Sequence, residues 1–91
     1  MTTVHKYELT KKCQKFAMPT GYKVLSVNAQ QGKVCMWVQV DTSVLPNEVL
    51  TIHQFMTGEG FRINPDGLEF IGTYFLFGGS FVKHVFRELN F

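Results

Sequence analysis

Residues 22–41 read YKVLSVNAQQGKVCMWVQVD, and this stretch decides the fold class of the 91-residue chain. Apolar and polar residues alternate on both sides of Gln31-Gly32, which suits the two central positions of a tight hairpin turn. With that turn, Leu25 lies opposite Val38. A one-residue slip would mix the two faces, so the register is well specified. The face predicted to be core consists of Leu25, Val27, Ala29, Val34, Met36 and Val38.

A second hairpin is predicted over residues 68–90, LEFIGTYFLFGGSFVKHVFRELN, with Gly78-Gly79 at its turn. That turn places Thr73 opposite His84. Ile71 then lies opposite Phe86. Both faces of this hairpin carry large apolar side chains, which is typical of strands in the middle of a sandwich or barrel. We therefore expect it to be the structural centre.

The rest of the chain favours further short strands. Residues 4–10, 14–18 and 49–57 have strand-like composition, and turn-forming residues separate them. No segment has sustained helical periodicity, and residues 57–67 are predicted to be a long irregular loop. Residues 1–91 are thus predicted to form a single all-β domain, a small antiparallel β-sandwich or partly open barrel. It would have about six to seven short strands and be built from the two hairpins.

Composition limits the cellular setting. No run of 18 apolar residues is present, and the first residues lack the apolar stretch of a secretion signal. We expect a cytoplasmic protein that does not contact membrane. Cys13 and Cys35 are then expected to be reduced thiols, since disulfides are rare in that compartment.

Catalytic and metal-binding patterns do not stand out. His5, His53 and His84 lie on three different predicted strands, without the spacing of a metal site. The glycines before Ser80 are explained by the hairpin turn, and no serine lies in a nucleophile elbow. We expect a protein that is not an enzyme and that uses no metal or cofactor.

Nucleic-acid binding is an open alternative. Small β-barrels bind single strands through exposed aromatic residues interleaved with Lys or Arg. Tyr22, Trp37 and Lys33 are placed to share one face of the first hairpin. The whole chain has only nine Lys and Arg residues, which is a modest electrostatic footprint for such a function.

A set of short motifs runs along nearly the whole chain: Lys6-Tyr7, Met18-Pro19-x-Gly21, Val24-Leu25-Ser26-Val27, Gln31-Gly32, Cys35-Met36-Trp37, Val40-Asp41, Leu68-Glu69-Phe70-Ile71-Gly72-Thr73, Gly78-Gly79 and His84-Val85-Phe86. In these motifs and their order, the chain resembles a family of small phage and prophage proteins of uncharacterised function. Where those proteins usually have Gly-Thr-Gly-His-Pro in a loop, this chain has Met56-Thr57-Gly58-Glu59-Gly60. The resemblance implies a phage origin and a compact β fold, and it carries over no catalytic residue.

The leading hypothesis is a small phage-encoded, non-enzymatic binding module that acts on a host protein, as a counter-defence or host-takeover factor in the bacterial cytoplasm. Aromatic residues and Arg concentrate binding energy at interfaces. The alternatives are a single-stranded nucleic-acid-binding β-barrel and a self-assembling phage structural component. The latter would form a homo-oligomer through an open sheet edge or the apolar tail at residues 89–91. The predicted partner-binding residues are Trp37, Tyr22, Lys33, Phe61, Arg62 and Glu59.

Overall fold

Seven antiparallel strands in two sheets make up the computed structural model, which describes residues 1–89. One sheet has the order β1-β4-β3 and the other the order β2-β5-β7-β6. This confirms the predicted all-β sandwich and both hairpins. Residue 90 of the second hairpin, and the last two residues of the tail at 89–91, lie outside the described residues. The elements are β1 (Thr2–Glu8), β2 (Cys13–Pro19), β3 (Lys23–Gln30), β4 (Lys33–Asp41), β5 (Pro46–Met56), a 3-10 turn (Pro65–Gly67), β6 (Leu68–Leu76), a second 3-10 turn (Phe77–Gly79) and β7 (Phe81–Glu88).

The hydrophobic core is supplied mainly by alternate residues of β4 and β5. Met36 and Val38 on β4 are fully buried, as are Leu50 and Ile52 on β5. The second hairpin contributes much less, because β6 is an edge strand of its sheet. The expectation that residues 68–90 form the structural centre is therefore wrong, since one of the two apolar faces of that hairpin lies outside the core.

The first hairpin has the predicted turn and, near it, the predicted register. Gln31 and Gly32 both have positive φ, 52° and 77°, as a type I′ turn requires. Farther from the turn, a β-bulge shifts the pairing, and Val24 instead of Leu25 lies opposite Val38. Leu25 is 45% exposed, so its predicted place in the core is wrong.

The second hairpin departs from its predicted register in the same way. Thr73 pairs with His84 as expected. A bulge at Ile71 then brings Phe70 opposite Phe86, so the predicted pairing of Ile71 with Phe86 is wrong. An extra residue in one strand bends it and increases its twist, and this ends the simple alternation of faces.

The bulged strands of the two hairpins, β3 and β6, are sheet edges that pack against each other. At their closest approach, a Cβ added to Gly72 would lie 3.0 Å from Val27 Cγ2. Only a glycine leaves room for this approach without displacing Val27. We call this junction the β3–β6 seam. It joins the two sheets along one side.

A buried hydrogen-bonded chain ties three segments together. Tyr74 on β6 donates its phenolic O–H to Gln54 Oε1 on β5 at 2.6 Å. Gln54 Nε2 in turn donates to the backbone carbonyl of Lys11 at 3.0 Å. Burial raises the pKa of Tyr74 above its usual value. The interior amide is thus bonded on both sides, as a buried polar group requires.

Candidate partner-binding surface

An aromatic cluster lies on the outer face of the four-stranded sheet. We define it as Phe55 on β5, Phe61 in the following loop, Phe70 on β6 and Phe86 on β7. Phe86 makes edge-to-face contacts with the other three rings, at centroid distances of 5.4 to 5.8 Å. Phe55 alternates along its strand with core-facing residues, so its ring lies on the side away from the core. The sheet therefore has a second apolar layer outside the core.

The loop after β5 folds over part of this cluster. Phe61 stacks on Phe55 with a centroid distance of 3.9 Å and an interplanar angle of 13°. Glu59 pairs with Lys12 and also accepts a hydrogen bond from the Met56 backbone N–H at 3.0 Å. These contacts bury Phe55, which is only 5% exposed although it lies on the outer face.

His84 connects this loop to the second hairpin. Its Nε2 lies 2.7 Å from Thr57 Oγ1, and its Nδ1 lies 2.9 Å from Thr73 Oγ1. A hydroxyl group can donate or accept, so both ring nitrogens are satisfied in either tautomer. The imidazole therefore links the loop after β5 to β6 through both of its nitrogens.

The turn end of the second hairpin exposes three phenylalanines, which we call the hairpin tip: Phe75, Phe77 and Phe81. They are 61%, 75% and 39% exposed. Phe77 contacts Phe81 edge to face at 6.3 Å, and Lys83 Nζ lies 5.7 Å from the centre of the Phe81 ring. Unlike the aromatic cluster, the tip is not covered by a loop in residues 1–89.

The backbone of Phe77 is strained. Its φ is +53°, in the left-handed region, next to two glycines that also have positive φ. Glycine adopts this region freely, whereas a bulky residue loses about 1–2 kcal/mol there. The side chain of Phe77 is mostly in solvent, and its internal contacts are the Phe81 ring and the hydrogen bonds that its carbonyl accepts from Ser80, so internal packing of the ring offsets little of that strain.

Three of the six predicted partner-binding residues come from the first hairpin, and they do not all lie together. Trp37 is half-buried on the outer face of the three-stranded sheet, because it alternates with the buried Met36 and Val38. Lys33 is exposed and lies 3.9 Å from Glu8. Tyr22 instead packs against the core. Lys33 and Trp37 do share the outer face of β4, and the predicted single face is wrong for Tyr22.

The other three predicted residues lie in one loop. Phe61 and Glu59 make the internal contacts described above. Arg62 is exposed, and it lines a pocket of about 160 Å³ together with Cys13 and His53. The structure thus brings Phe61, Arg62 and Glu59 together beside the aromatic cluster.

The hairpin tip was not among the sequence-predicted site residues. A signal for it was present, since the strands of residues 68–90 are apolar on both faces. That pattern was interpreted as a doubly buried strand, whereas here one face is exposed. Composition alone does not separate these two cases.

Residues 1–89 also contain two free cysteines. Cys13 is an exposed free thiol and Cys35 a buried one. No group of three or more His, Cys, Asp or Glu residues in this range is placed to hold a metal ion. No helix in the same part of the chain is long and apolar enough to cross a membrane.

The architecture and surface define a class: a small two-sheet antiparallel β protein with an aromatic layer outside its core and exposed phenylalanines at one hairpin turn. Within that class, the chain belongs to the family described as "Domain of unknown function (DUF7352)", which matches residues 1–90. No curated protein and no solved structure gave a significant match to the chain.

Proposed function

We propose that this chain is a small phage-encoded, non-enzymatic binding module that acts on a bacterial host protein through its hairpin tip. The observation that carries the proposal is Phe77, which is 75% exposed and has a left-handed backbone. Strain that is not offset within a fold points to a role outside it. A partner that buries the ring would supply the missing compensation.

The composition of the tip supports the same proposal. Phe75, Phe77 and Phe81 place three exposed rings within seven residues of chain, and Phe77 and Phe81 are in contact. Phe75 pairs with Val82 and therefore lies on the other face of the hairpin from Phe81. Contiguous exposed apolar surface, such as the Phe77–Phe81 pair, is uncommon on monomeric proteins and marks interaction sites. Aromatic side chains also bury much area per residue, as interface anchors do.

The chemistry of the tip indicates what kind of surface it fits. Lys83 lies over Phe81 and adds a positive charge beside the rings. The matching partner surface is an apolar pocket with an acidic residue at its edge. Such an arrangement combines a buried apolar anchor with a charged rim.

Capture from lysate of the bacterial host tests this proposal. Wild type, Phe77→Gly and the control Leu45→Ser would be immobilised, with nuclease-treated and untreated lysate in parallel. Leu45 is 84% exposed but lies between β4 and β5, so it matches Phe77 in exposure and not in position. We expect one host protein to be retained by wild type and Leu45→Ser and lost from Phe77→Gly.

The retained protein would then be purified, and its affinity for each variant measured by calorimetry. Loss of one anchor ring typically costs about 2 kcal/mol or more, or roughly thirtyfold in Kd. Equal affinity of wild type and Phe77→Gly would exclude the tip as the binding surface. If wild type instead sediments as an oligomer that Phe77→Gly does not form, the self-assembling structural component becomes the better description.

Single-strand nucleic-acid binding has one observation in its favour. Trp37 on the outer face of the three-stranded sheet lies opposite Lys6 in the β1–β4 pairing. An aromatic ring beside a lysine is the arrangement that single-strand binders use. Lys6 already contacts Gln30, and Lys33 already contacts Glu8. A phosphate group would have to compete with these contacts.

The fluorescence of Trp37 tests this second candidate directly, because it is the only tryptophan. Stacking of a base on the ring would quench its emission during titration with a single-stranded oligonucleotide. Binding of this type weakens steeply as salt rises. Unchanged emission at low salt would eliminate the nucleic-acid function.

A further inference from the structure

A pocket of about 250 Å³ lies at the β3–β6 seam, where the two bulges face each other. Leu25 and Ile71, the extra residues of the two bulges, both line it. Where Gly72 meets Val27 the seam is closed, and at the bulges it opens. Bulges commonly redirect side chains next to binding sites.

Arg87 of β7 also lines this pocket, and it is poorly satisfied. Its Nε is buried and has no hydrogen-bond partner within residues 1–89. The nearest carboxylate oxygen, Glu69 Oε1, lies 3.9 Å from that nitrogen, which is too long for a hydrogen bond. Buried unpaired donors are rare in native proteins, and each one calls for a specific explanation.

The surroundings of Arg87 favour a negatively charged oxygen ligand. The guanidinium carbon lies 5.5 Å from the centre of the Tyr22 ring, so one face of the group is held against an aromatic surface. Lys23 lines the same pocket and adds a second positive charge. Glu69 is the opposing acidic group, and its side chain is 59% exposed. The lining of the pocket thus has two cations and one carboxylate, and that carboxylate is not hydrogen-bonded to Arg87 Nε.

We propose that the seam pocket binds an oxyanion, either a carboxylate or a phosphate group, with Arg87 as its principal ligand and Lys23 as a second cation. The planar guanidinium offers parallel N–H donors whose spacing matches two oxygens of either group. Glu69 lines the pocket beside Arg87, so an anion that displaces its carboxylate would take its place against the guanidinium. This site is separate from the hairpin tip, so its test does not depend on the proposed function.

Arginine side-chain NMR provides the test, because the chain has only two arginines, Arg62 and Arg87. Their Nε–H resonances would be followed in wild type during separate titrations with sodium phosphate and sodium acetate. Sodium chloride at matched ionic strength serves as the reference. We expect a saturable shift of the Arg87 resonance and none of Arg62, which lies in the exposed loop. The anion that saturates at lower concentration identifies the preferred chemistry, phosphate or carboxylate.

Three variants test which side chains determine the affinity for the anion. Glu69→Gln removes the competing carboxylate and should tighten anion binding severalfold. Arg87→Lys retains the charge but not the bidentate fork, and should weaken binding about tenfold. Arg62→Lys is the matched control, and it should bind as wild type does. Backbone spectra would confirm that each variant is folded.

The proposal would be overturned by an Arg87 resonance that does not respond to either anion at millimolar concentrations, in wild type and in Glu69→Gln. Equal, linear shifts of both arginines would overturn it too, since they report ionic strength alone. Both outcomes are read without the Arg87 variant, so a folding defect in that variant does not weaken the test.

Discussion

Gln31 and Phe77 are the two non-glycine residues with positive φ within residues 1–89, at 52° and 53°. Each lies at a hairpin turn beside glycine, but Gln31 has no exposed ring that a partner could bury. Asn tolerates the left-handed region better than Gln and is favoured before Gly in type I′ turns. We therefore expect Gln31→Asn to raise the free energy of unfolding by about 0.5–1 kcal/mol.

Urea denaturation would measure this change, with Gln39→Asn as the control. Gln39 is exposed on β4 and has no positive φ, so the same substitution there should lower stability slightly. An equal effect at the two positions would show that the turn conformation is not the cause.

Tyr74 stabilises the interior through its hydrogen bond to Gln54. Tyr74→Phe keeps the ring but leaves Gln54 Oε1 buried without its donor, which typically costs about 1–3 kcal/mol. Tyr7→Phe is the matched control, since Tyr7 packs on the same core and makes no hydroxyl hydrogen bond to residues 1–89. Thermal unfolding should separate the two variants, and a similar loss in both would contradict the role given to this bond.

The lowered pKa of Asp41 makes the free energy of unfolding depend on pH in the acid range. The hydroxyl of Ser43, then its backbone N–H, then the Met1 amino group hydrogen-bond the carboxylate and hold the pKa of Asp41 at about 2, below the usual 3.8. A pKa lowered by folding gives stability that is present above pH 3.8 and lost as pH falls toward 2. Wild type should lose more stability across this window than Asp41→Asn.

Unfolding midpoints measured from about pH 5, roughly one unit above the ordinary carboxyl pKa, down to the lowered pKa of about 2 would check this. Ser43→Ala removes the largest cause of the lowered pKa and should behave like Asp41→Asn. Parallel pH profiles for wild type and both variants would show that these hydrogen bonds do not persist in solution.

At the scale of elements, the sequence predicted turns well and register only in part. Gln31-Gly32 and Gly78-Gly79 determine the pairing close to each turn, because a hairpin turn fixes the first pairs directly. The bulges at Leu25 and Ile71 depend on how β3 packs against β6 from the other sheet. Alternation along one strand contains no information on that contact. The glycine at position 72, inside a strand, was the one local signal of a close approach.

The same reasoning explains the limits of site prediction. Phe61, Arg62 and Glu59 lie in one loop because they are neighbours in sequence, and their role in partner binding stays a prediction. Tyr22 was assigned to the face of Trp37 by alternation, which fails across the bulge. The seam pocket draws on β3, β6 and β7, so its assembly depends on sheet packing.

A double-mutant cycle tests the seam. Gly72→Ala places a methyl group 3.0 Å from Val27 Cγ2, and overpacking of this kind costs about 1–3 kcal/mol. In a Val27→Ala background the added methyl has space, so the cost of Gly72→Ala should fall by at least about 0.5 kcal/mol. Chemical denaturation of the four proteins gives the coupling energy. Strict additivity would mean that the two strands do not meet as described.

At the scale of the whole molecule, the two outer faces of the sandwich differ. The three-stranded sheet exposes mostly polar side chains around Trp37, whereas the four-stranded sheet has the aromatic cluster. Phe70 is 56% exposed and belongs both to that cluster and to the lining of the seam pocket. The body is thin, with principal extents of 40 × 32 × 16 Å, so little interior is available for a deep cleft. This shape agrees with our proposal that the chain works through its surface.

Phe77→Gly separates stability from binding in this molecule. Glycine relieves about 1–2 kcal/mol of backbone strain, and its greater freedom in the unfolded chain offsets about 0.5–1 kcal/mol of that gain. The variant also loses the edge-to-face contact of Phe77 with Phe81, which is worth about 0.5–1.5 kcal/mol. The free energy of unfolding should therefore stay within about 1 kcal/mol of the wild-type value, while affinity for the partner falls. Phe61→Ala is the contrasting variant. It removes the ring stacked on Phe55 and should destabilise the fold by about 1–3 kcal/mol, because the loop loses its apolar contact.

Denaturation and partner affinity measured on both variants give a clear contrast. A residue kept for folding lowers stability when it is truncated, and a residue kept for binding does not. If Phe77→Gly destabilised the protein as much as Phe61→Ala, then Phe77 would serve the fold, and the argument from its backbone would fail. If Phe77→Gly kept both stability and affinity, the partner surface would have to be sought elsewhere, with Trp37 and Arg62 as the next positions to substitute. A stable variant that no longer binds is the result that the strained and exposed Phe77 predicts.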